Sequence, residues 1–371
     1  MRLSLRRRGR DGVAMRANLL DVIRCPACGG RVSCQSYKAV GLEIIDGILS
    51  CACGRAYPVI GGVARLLTTV TLPGSFRAQY ATRLASDAPS LATAPAAEAD
   101  AFSFSFQWGR HAYDELTWEL LLSERLELFL RYYGAHSFEE LRGLCVLDAG
   151  CGNGTLSAQL AASGLEVVAM DYSESVYRAF SHAMLDASVP EAAIGRLGYV
   201  QADVWFPPFG QGTYDLVYSD GVLHHTADTK TAFVALASMV KPGGRFLVWL
   251  YRRDVRPGIW VKNQVVEMVH RLTRRWPHRA KMWLCTAGAV VLVSLVRLAR
   301  PFGYHRRRAI PIRLKALNLF DTIAPTYNHK HTPTEVMDWF HEVGFVNVRD
   351  ASIRDHRLDE GGFAVIGTRP L

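Results

Sequence analysis

Val146-Leu147-Asp148-Ala149-Gly150-Cys151-Gly152-Asn153-Gly154 reads as an apolar strand running straight into a turn with glycine at alternate positions. Backbone without a Cβ can approach a ligand closely. A dinucleotide fingerprint needs glycine at its first, third and sixth places, and the sixth place here holds Thr155. A pyrophosphate-holding loop is therefore not expected. Working outward, strand-like runs at 144–147, 166–170, 214–218 and 246–250 alternate with segments long enough for crossover helices, the pattern of a parallel α/β sheet. Thr332-Pro333-Thr334-Glu335 is a capping box with proline at the first helical position, and Gly344 suits the stop. Two last strands, at 346–348 and 363–367, close the series.

Open sheets of this kind bind ligands at the carboxyl ends of their strands. Asp148 stands at one such end and Asp171 at the next, 23 residues on, where a carboxylate can accept hydrogen bonds from ribose hydroxyls. Asp203, within Gln201-Ala202-Asp203-Val204, can accept from an adenine amino group. The stretch 214–225 is a buried strand that breaks into a polar loop containing Ser219, His224 and His225, with Asp215 read as support for the loop.

In these residues the chain resembles the class I S-adenosylmethionine (SAM)-dependent methyltransferases, in particular the type 11 group. The likeness rests on the D-x-G-C-G-x-G loop, on Val222-Leu223-His224-His225 and on the Lys241-Pro242-Gly243-Gly244 turn, and it covers 102–371 apart from an insertion. It implies a Rossmann-like seven-stranded sheet with a reversed final strand and SAM as cofactor. Asp148, Gly150, Cys151, Gly152 and Gly154 would lie near the methionine end, Asp171 with Tyr172 at the ribose, Asp203 with Val204 at adenine, and Ser219 at the fourth strand end. SAM carries an ammonium and a sulfonium, which an acid at a strand end suits electrostatically. An aromatic segment that covers the cofactor in similar proteins maps to Phe106, Gln107 and Trp108. His224 and His225 are candidate catalytic residues, because an alcohol acceptor loses its proton during transfer. Transfer to an amine or thiol can proceed by alignment alone.

Eight cysteines, five of them clustered before residue 54, suit metal ligation in a reducing compartment better than a secreted disulfide framework. Cys25 and Cys28, two residues apart, can both reach one tetrahedral ion. Cys51 and Cys53 form the other half with a one-residue gap, and Cys34 is a substitute ligand. The stretch 25–67 is similar to zinc ribbons of the tRNA-methyltransferase-activator type, which implies one structural zinc or a metal-free remnant of its site. The expected organisation is a basic disordered tail at 1–18, a zinc-ribbon-like β domain at 19–70, a linker at 71–101 poor in large apolar residues, and a catalytic domain at 102–371. Five arginines within the first ten residues lead into Asp11 and Gly12 rather than an apolar run, so no export signal is completed. A cytoplasmic location follows as the expectation.

The chain of 371 residues carries a formal net charge of +9. Sixteen Arg and Lys against two acids fall between Arg252 and Lys315, a local net of +14, so the remainder is net negative. This basic helical insertion, 251–320, precedes the last two strands. It is expected to form a lid whose apolar side packs on the sheet, or one that meets an anionic membrane surface or a lipid-linked acceptor. Its uncharged run, 282–296, has 15 residues, fewer than the roughly 20 that span a bilayer, which argues against a single-pass anchor. The leading functional expectation is methyl transfer to an oxygen, or secondarily a nitrogen, of a small or lipid- or glycan-linked acceptor. RNA methylation ranks second, and a non-catalytic partner that docks another methyltransferase third.

Overall fold

The computed structural model describes residues 15–16, 19–40, 43–95, 103–108, 116–117, 120–185, 189–299, 310–352 and 361–371. Most of the expected tail and the end of the expected linker lie outside these. After a two-residue strand (Met15–Arg16) and a helical turn (Leu19–Val22), the chain runs through β1 (Val32–Val40), β2 (Glu43–Cys51), β3 (Ala56–Ile60) and β4 (Val63–Leu66), followed by α1 (Gly74–Gln79), α2 (Ala81–Asp87) and α3 (Pro89–Ala92). After α4 (Ser103–Trp108) and α5 (Leu122–Tyr133) the alternation sets in: β5 (Cys145–Ala149), α6 (Thr155–Ala162), β6 (Glu166–Asp171), α7 (Ser175–Leu185), β7 (Leu197–Ala202), β8 (Tyr214–Asp220), α8 (Thr229–Ala237) and β9 (Val240–Tyr251). The insertion supplies α9 (Pro257–Thr273), α10 (His278–Ala299) and α11 (Ile312–Ile323), and α12 (Pro333–Glu342), β10 (Val346–Asp350) and β11 (Gly362–Thr368) finish the fold.

The Rossmann-like core is laid out as β7-β6-β5-β8-β9-β11-β10, with β11 antiparallel to both β9 and β10. Seven strands with a reversed last member match the expectation. β5 is central and buried along Val146, Leu147, Asp148 and Ala149, as a strand covered on both faces by helices must be. Thr332 and Glu335 form the capping box of α12, the hydroxyl accepting from Glu335 N at 3.2 Å.

Two features depart from the sequence reading. First, β4 pairs parallel with β7 in the register Val200↔Ala64 and Ala202↔Leu66, so the four ribbon strands, with Met15–Arg16 paired on β2, prolong the seven-stranded catalytic sheet to 12 strands. Arg24 N donates to Pro208 O at 2.7 Å, and Leu19, Ile23 and Tyr57 share one apolar core with Phe209, Tyr214 and Phe246. Second, the described part of the expected linker is helical. Its large apolar residues are few, but Leu72, Phe76, Tyr80 and Leu84 recur at every fourth position, one helical stripe, and they bury against Ile48 of β2.

The insertion leaves from the carboxyl end of β9 and returns to it, where His331 N donates to Tyr251 O at 2.9 Å. Among the described residues its apolar cluster forms between its own helices, where the lid expectation had its apolar side on the sheet. Val266 and Val269 of α9 and Cys285 and Ala289 of α10 rest on Ala316, Phe320 and Ile323 of α11. Nor does the helix stop at the 15 uncharged residues: the 21 residues His278–Leu298 are long and apolar enough to cross a membrane by length and composition. The short uncharged run had argued otherwise because it left out the charged turns at each end.

Candidate active site

Gly150, Gly152 and Gly154 all hold positive φ, at 96°, 56° and 69°, a region that L residues other than Asn and Asp rarely enter. Space is equally restrictive. A Cβ on Gly150 would sit 2.1 Å from Val222, and one on Gly152 2.8 Å from the Trp108 ring. The loop is pinned to the next strand by Gly150 N and Cys151 N, both donating to Met170 O, and by Gly152 N donating to Asp171 Oδ2 at 2.9 Å.

Beside this loop lies a cavity of about 330 Å³. Of the expected residues, Trp108, Gly150, Cys151, Gly152, Asp171, Tyr172, Asp203, Val204 and His225 line it. Asp171 also accepts from Ser173 N at 2.8 Å, and Asp203 accepts from Trp205 N at 2.9 Å. Burial raises both carboxyl pKa values.

Six expected residues stand elsewhere. Asp148 lies beneath the loop, 4% exposed, accepts from Ser157 Oγ at 2.5 Å, and is pushed up to about 6 by burial. Gly154 packs against Ala179, and Ser219 Oγ donates to Ala149 O at 3.0 Å; both hold the loop from outside the cavity. Phe106 points away, its ring 5.4 Å from Phe320 of the insertion. In a helix, positions 104 and 108 share a face that 106 does not, so Phe104 takes the lining place beside Trp108. Gln107 is fully buried. His224 is also fully buried, with its ring stacked 3.9 Å from that of Tyr251 and neither nitrogen hydrogen-bonded among the described residues. Burial drives its pKa well below the ordinary value.

His225 is placed differently. Its Nδ1 is 3.0 Å from Tyr327 O. A carbonyl only accepts, so Nδ1 carries the proton and Nε2 keeps its lone pair; Nε2 has no partner among the described residues. Burial lowers the pKa of the ring, with Asp321 and the Tyr327 carbonyl opposing, which keeps it neutral at pH 7.

The sequence reading missed Arg125, Asp220, Trp205, Pro325 and Tyr327, which also line the cavity. Asp220 accepts from Tyr218 Oη at 2.7 Å and stood within the quoted stretch 214–225, where its place at the strand end was the available signal. Asp215 is structural, but at the amino end of β8 rather than at the loop it was expected to support, bonding Cys145 N at 2.8 Å and Lys241 Nζ at 2.9 Å. Among the described residues, three carboxylates and one guanidinium thus line the cavity, a net negative set that fits a ligand with ammonium and sulfonium charges beside one carboxylate.

At the ribbon, the sulfurs of Cys25, Cys28, Cys51 and Cys53 lie within 4.8 Å of one another, with Cys28 to Cys51 at 3.5 Å and Cys25 to Cys53 at 3.8 Å. Zn–S bonds of about 2.3 Å in a tetrahedron set the sulfurs roughly 3.8 Å apart, so the set is compatible with one structural zinc. A Cβ on Gly30 would come within 3.2 Å of Cys28 Sγ, which explains the glycine. Cys34, the substitute ligand, is outside the cluster, and burial pushes it up to about 11.

A sheet of this order with an acidic, glycine-floored cavity at its carboxyl edge defines a Rossmann-like enzyme that takes a cationic nucleoside. The chain belongs to the SAM-dependent methyltransferases: residues 147–248 match the family described as "Methyltransferase domain", and residues 16–62 match "Trm112p-like protein". An uncharacterized methyltransferase of Mycobacterium tuberculosis is 32% identical over 167 residues, covering 44% of this chain and 81% of that one. The demethylmenaquinone methyltransferase of Clavibacter sepedonicus is 27% identical over 225 residues, covering 52% and 88%. A ubiquinone biosynthesis O-methyltransferase of Rhizobium johnstonii is 32% identical over 145 residues, covering 38% and 55%.

Proposed function

We propose that this enzyme methylates an oxygen of a small or lipid-linked acceptor. The observation that carries the reading is the tautomer of His225, whose protonated Nδ1 is held by the Tyr327 carbonyl. A neutral imidazole with a lone pair at Nε2, on a residue lining the cavity, is suited to take the proton of an acceptor hydroxyl. Bound SAM supplies an electrophilic methyl group on its sulfonium. Asp171 would accept from the ribose hydroxyls and Asp203 from the adenine amino group, while the glycine loop leaves room for the methionine end. Arg125, the one Arg or Lys on the lining among the described residues, would pair with the methionine carboxylate. Phe104, Trp108, Val222 and Pro325 supply apolar walls that exclude water and suit a flat or prenylated acceptor. The relatives named for demethylmenaquinone and for ubiquinone biosynthesis by O-methylation support an acceptor of that kind.

The test is incubation of the enzyme with a cell extract and isotope-labelled SAM, followed by mass spectrometry of the products. A labelled O-methyl ether or ester is expected; label on carbon, on nitrogen or on RNA overturns the reading. His225→Gln is expected to lower kcat by about 10²- to 10⁴-fold with SAM affinity unchanged by calorimetry. An undiminished kcat removes the base assignment.

A further inference from the structure

α9 and α10 leave most of their apolar surface open. Of the 19 exposed large apolar side chains among the described residues, 13 fall between Trp260 and Leu298. Trp283 is 77% exposed, Leu272 71% and Leu298 69%. Only one stripe of α10 is covered, Lys281, Cys285, Ala289 and Val293 at every fourth place, and it packs toward α11. Exposed apolar surface of this extent marks an interaction face.

Charge says what covers it. Between Val255 and Phe320 the sequence has one acid, Glu267, and that one pairs with Arg271 at 3.1 Å. Along α10 the charged residues are confined to the ends, Arg279 and Lys281 at one and Arg297 at the other. Arg274, Arg275 and Arg279 are exposed and flank Trp276 at the turn between the two helices. Immediately after α10 the sequence adds Arg300, Arg306, Arg307 and Arg308. Apolar faces with tryptophan, bordered by arginine and nearly free of acids, are complementary to a bilayer that offers hydrocarbon beneath anionic headgroups. A second copy of the chain would set the same positive charge against itself. RNA would neutralise the arginines but leave Trp283, Leu295 and Leu298 in water.

We propose that α9, the turn at 274–277 and the open faces of α10 form a docking surface that lies in the interface of an anionic lipid bilayer. On the inner side, α11 runs on into Pro325, Thr326 and Tyr327, which line the cavity, so docking brings the cavity close to the lipid. The surface is independent of which atom the enzyme methylates.

The experiment is flotation of the full chain with vesicles of phosphatidylcholine alone or mixed with phosphatidylglycerol, at low and high salt. The chain is expected to float with the anionic vesicles at least about tenfold more than with the neutral ones, and to lose binding as salt is raised. Arg274→Gln with Arg275→Gln and Arg279→Gln should lower partitioning roughly fivefold per lost charge, and Trp283→Asp with Leu295→Asp should abolish it. Unchanged SAM titration by each variant establishes that it is folded, whatever the acceptor proves to be. The proposal is overturned by the absence of flotation, by equal binding to neutral vesicles, or by indifference to both variant sets. It is equally overturned if the chain resists alkaline carbonate extraction, as a spanning helix would. A dimer dissolved by the two Asp substitutions, or RNA binding that displaces vesicles, would assign the face to another occupant.

Discussion

His224 and His225 are adjacent in sequence and opposite in role because the short helical turn at Leu223–His225 sends one ring into the core and the other to the cavity. His224 has no polar partner among the described residues, so it must stay neutral when folded. Its folded pKa lies below the unfolded value of 6.5, and the unfolded chain therefore binds a proton that the native chain refuses once the pH falls below 6.5. Its contribution to stability is complete above that pH and declines below it, by up to about 1.4 kcal/mol per pH unit until the folded pKa is reached. His224→Phe should match the wild type in denaturant titrations at pH 7.5 and become relatively more stable toward pH 5; parallel pH curves would sink the assignment. Gly150→Ala meets both an unfavourable φ and the Val222 side chain. It should weaken SAM binding by calorimetry at least about tenfold, a loss of the size that backbone strain of 1–3 kcal/mol produces; unchanged affinity would show that the loop yields.

At the scale of elements, each piece of local grammar was readable where it was self-contained. The turn from β5, the acid ending β6 and the capping box of α12 are each written in a handful of consecutive residues. Thr332→Ala should remove the cap and lower stability by about 1 kcal/mol without altering SAM affinity, because α12 touches the cavity nowhere; a change in affinity would mean that the cap also sets the base of the insertion. What was illegible depended on phase or on distance. Two positions along α4 decided between Phe104 and Phe106. Arg125 came from a helix before the core and Tyr327 from the far end of the insertion, and neither carries a local pattern that points to a ligand. The lid failed for a related reason: an amphipathic pattern says that a face is apolar, not whether sheet, helix or lipid will cover it.

At the scale of the whole molecule, the ribbon and the catalytic domain were separable in sequence and are not separable in the structure. Nothing local in Val63-Ala64-Arg65-Leu66 of β4 names β7 as its neighbour. Since β7 leads directly to Asp203, loosening the ribbon should be felt at the adenine end of the cavity. Cys53→Ser, or stripping metal with a chelator, is expected to lower the melting temperature by roughly 5 °C or more. It should do so in one cooperative transition and with weaker SAM binding; two resolved transitions, the upper one unshifted, would refute the shared core.

The seam between β4 and β7 also bears on biogenesis. Ala64 and its partner Val200 are 136 residues apart, and translation at about 5–20 residues per second separates their emergence from the ribosome by roughly 7–27 s. During that interval the nascent ribbon presents an unpaired strand edge, the feature most open to pairing with a foreign chain. Synthesis of this enzyme should therefore be most vulnerable to aggregation before β7 emerges.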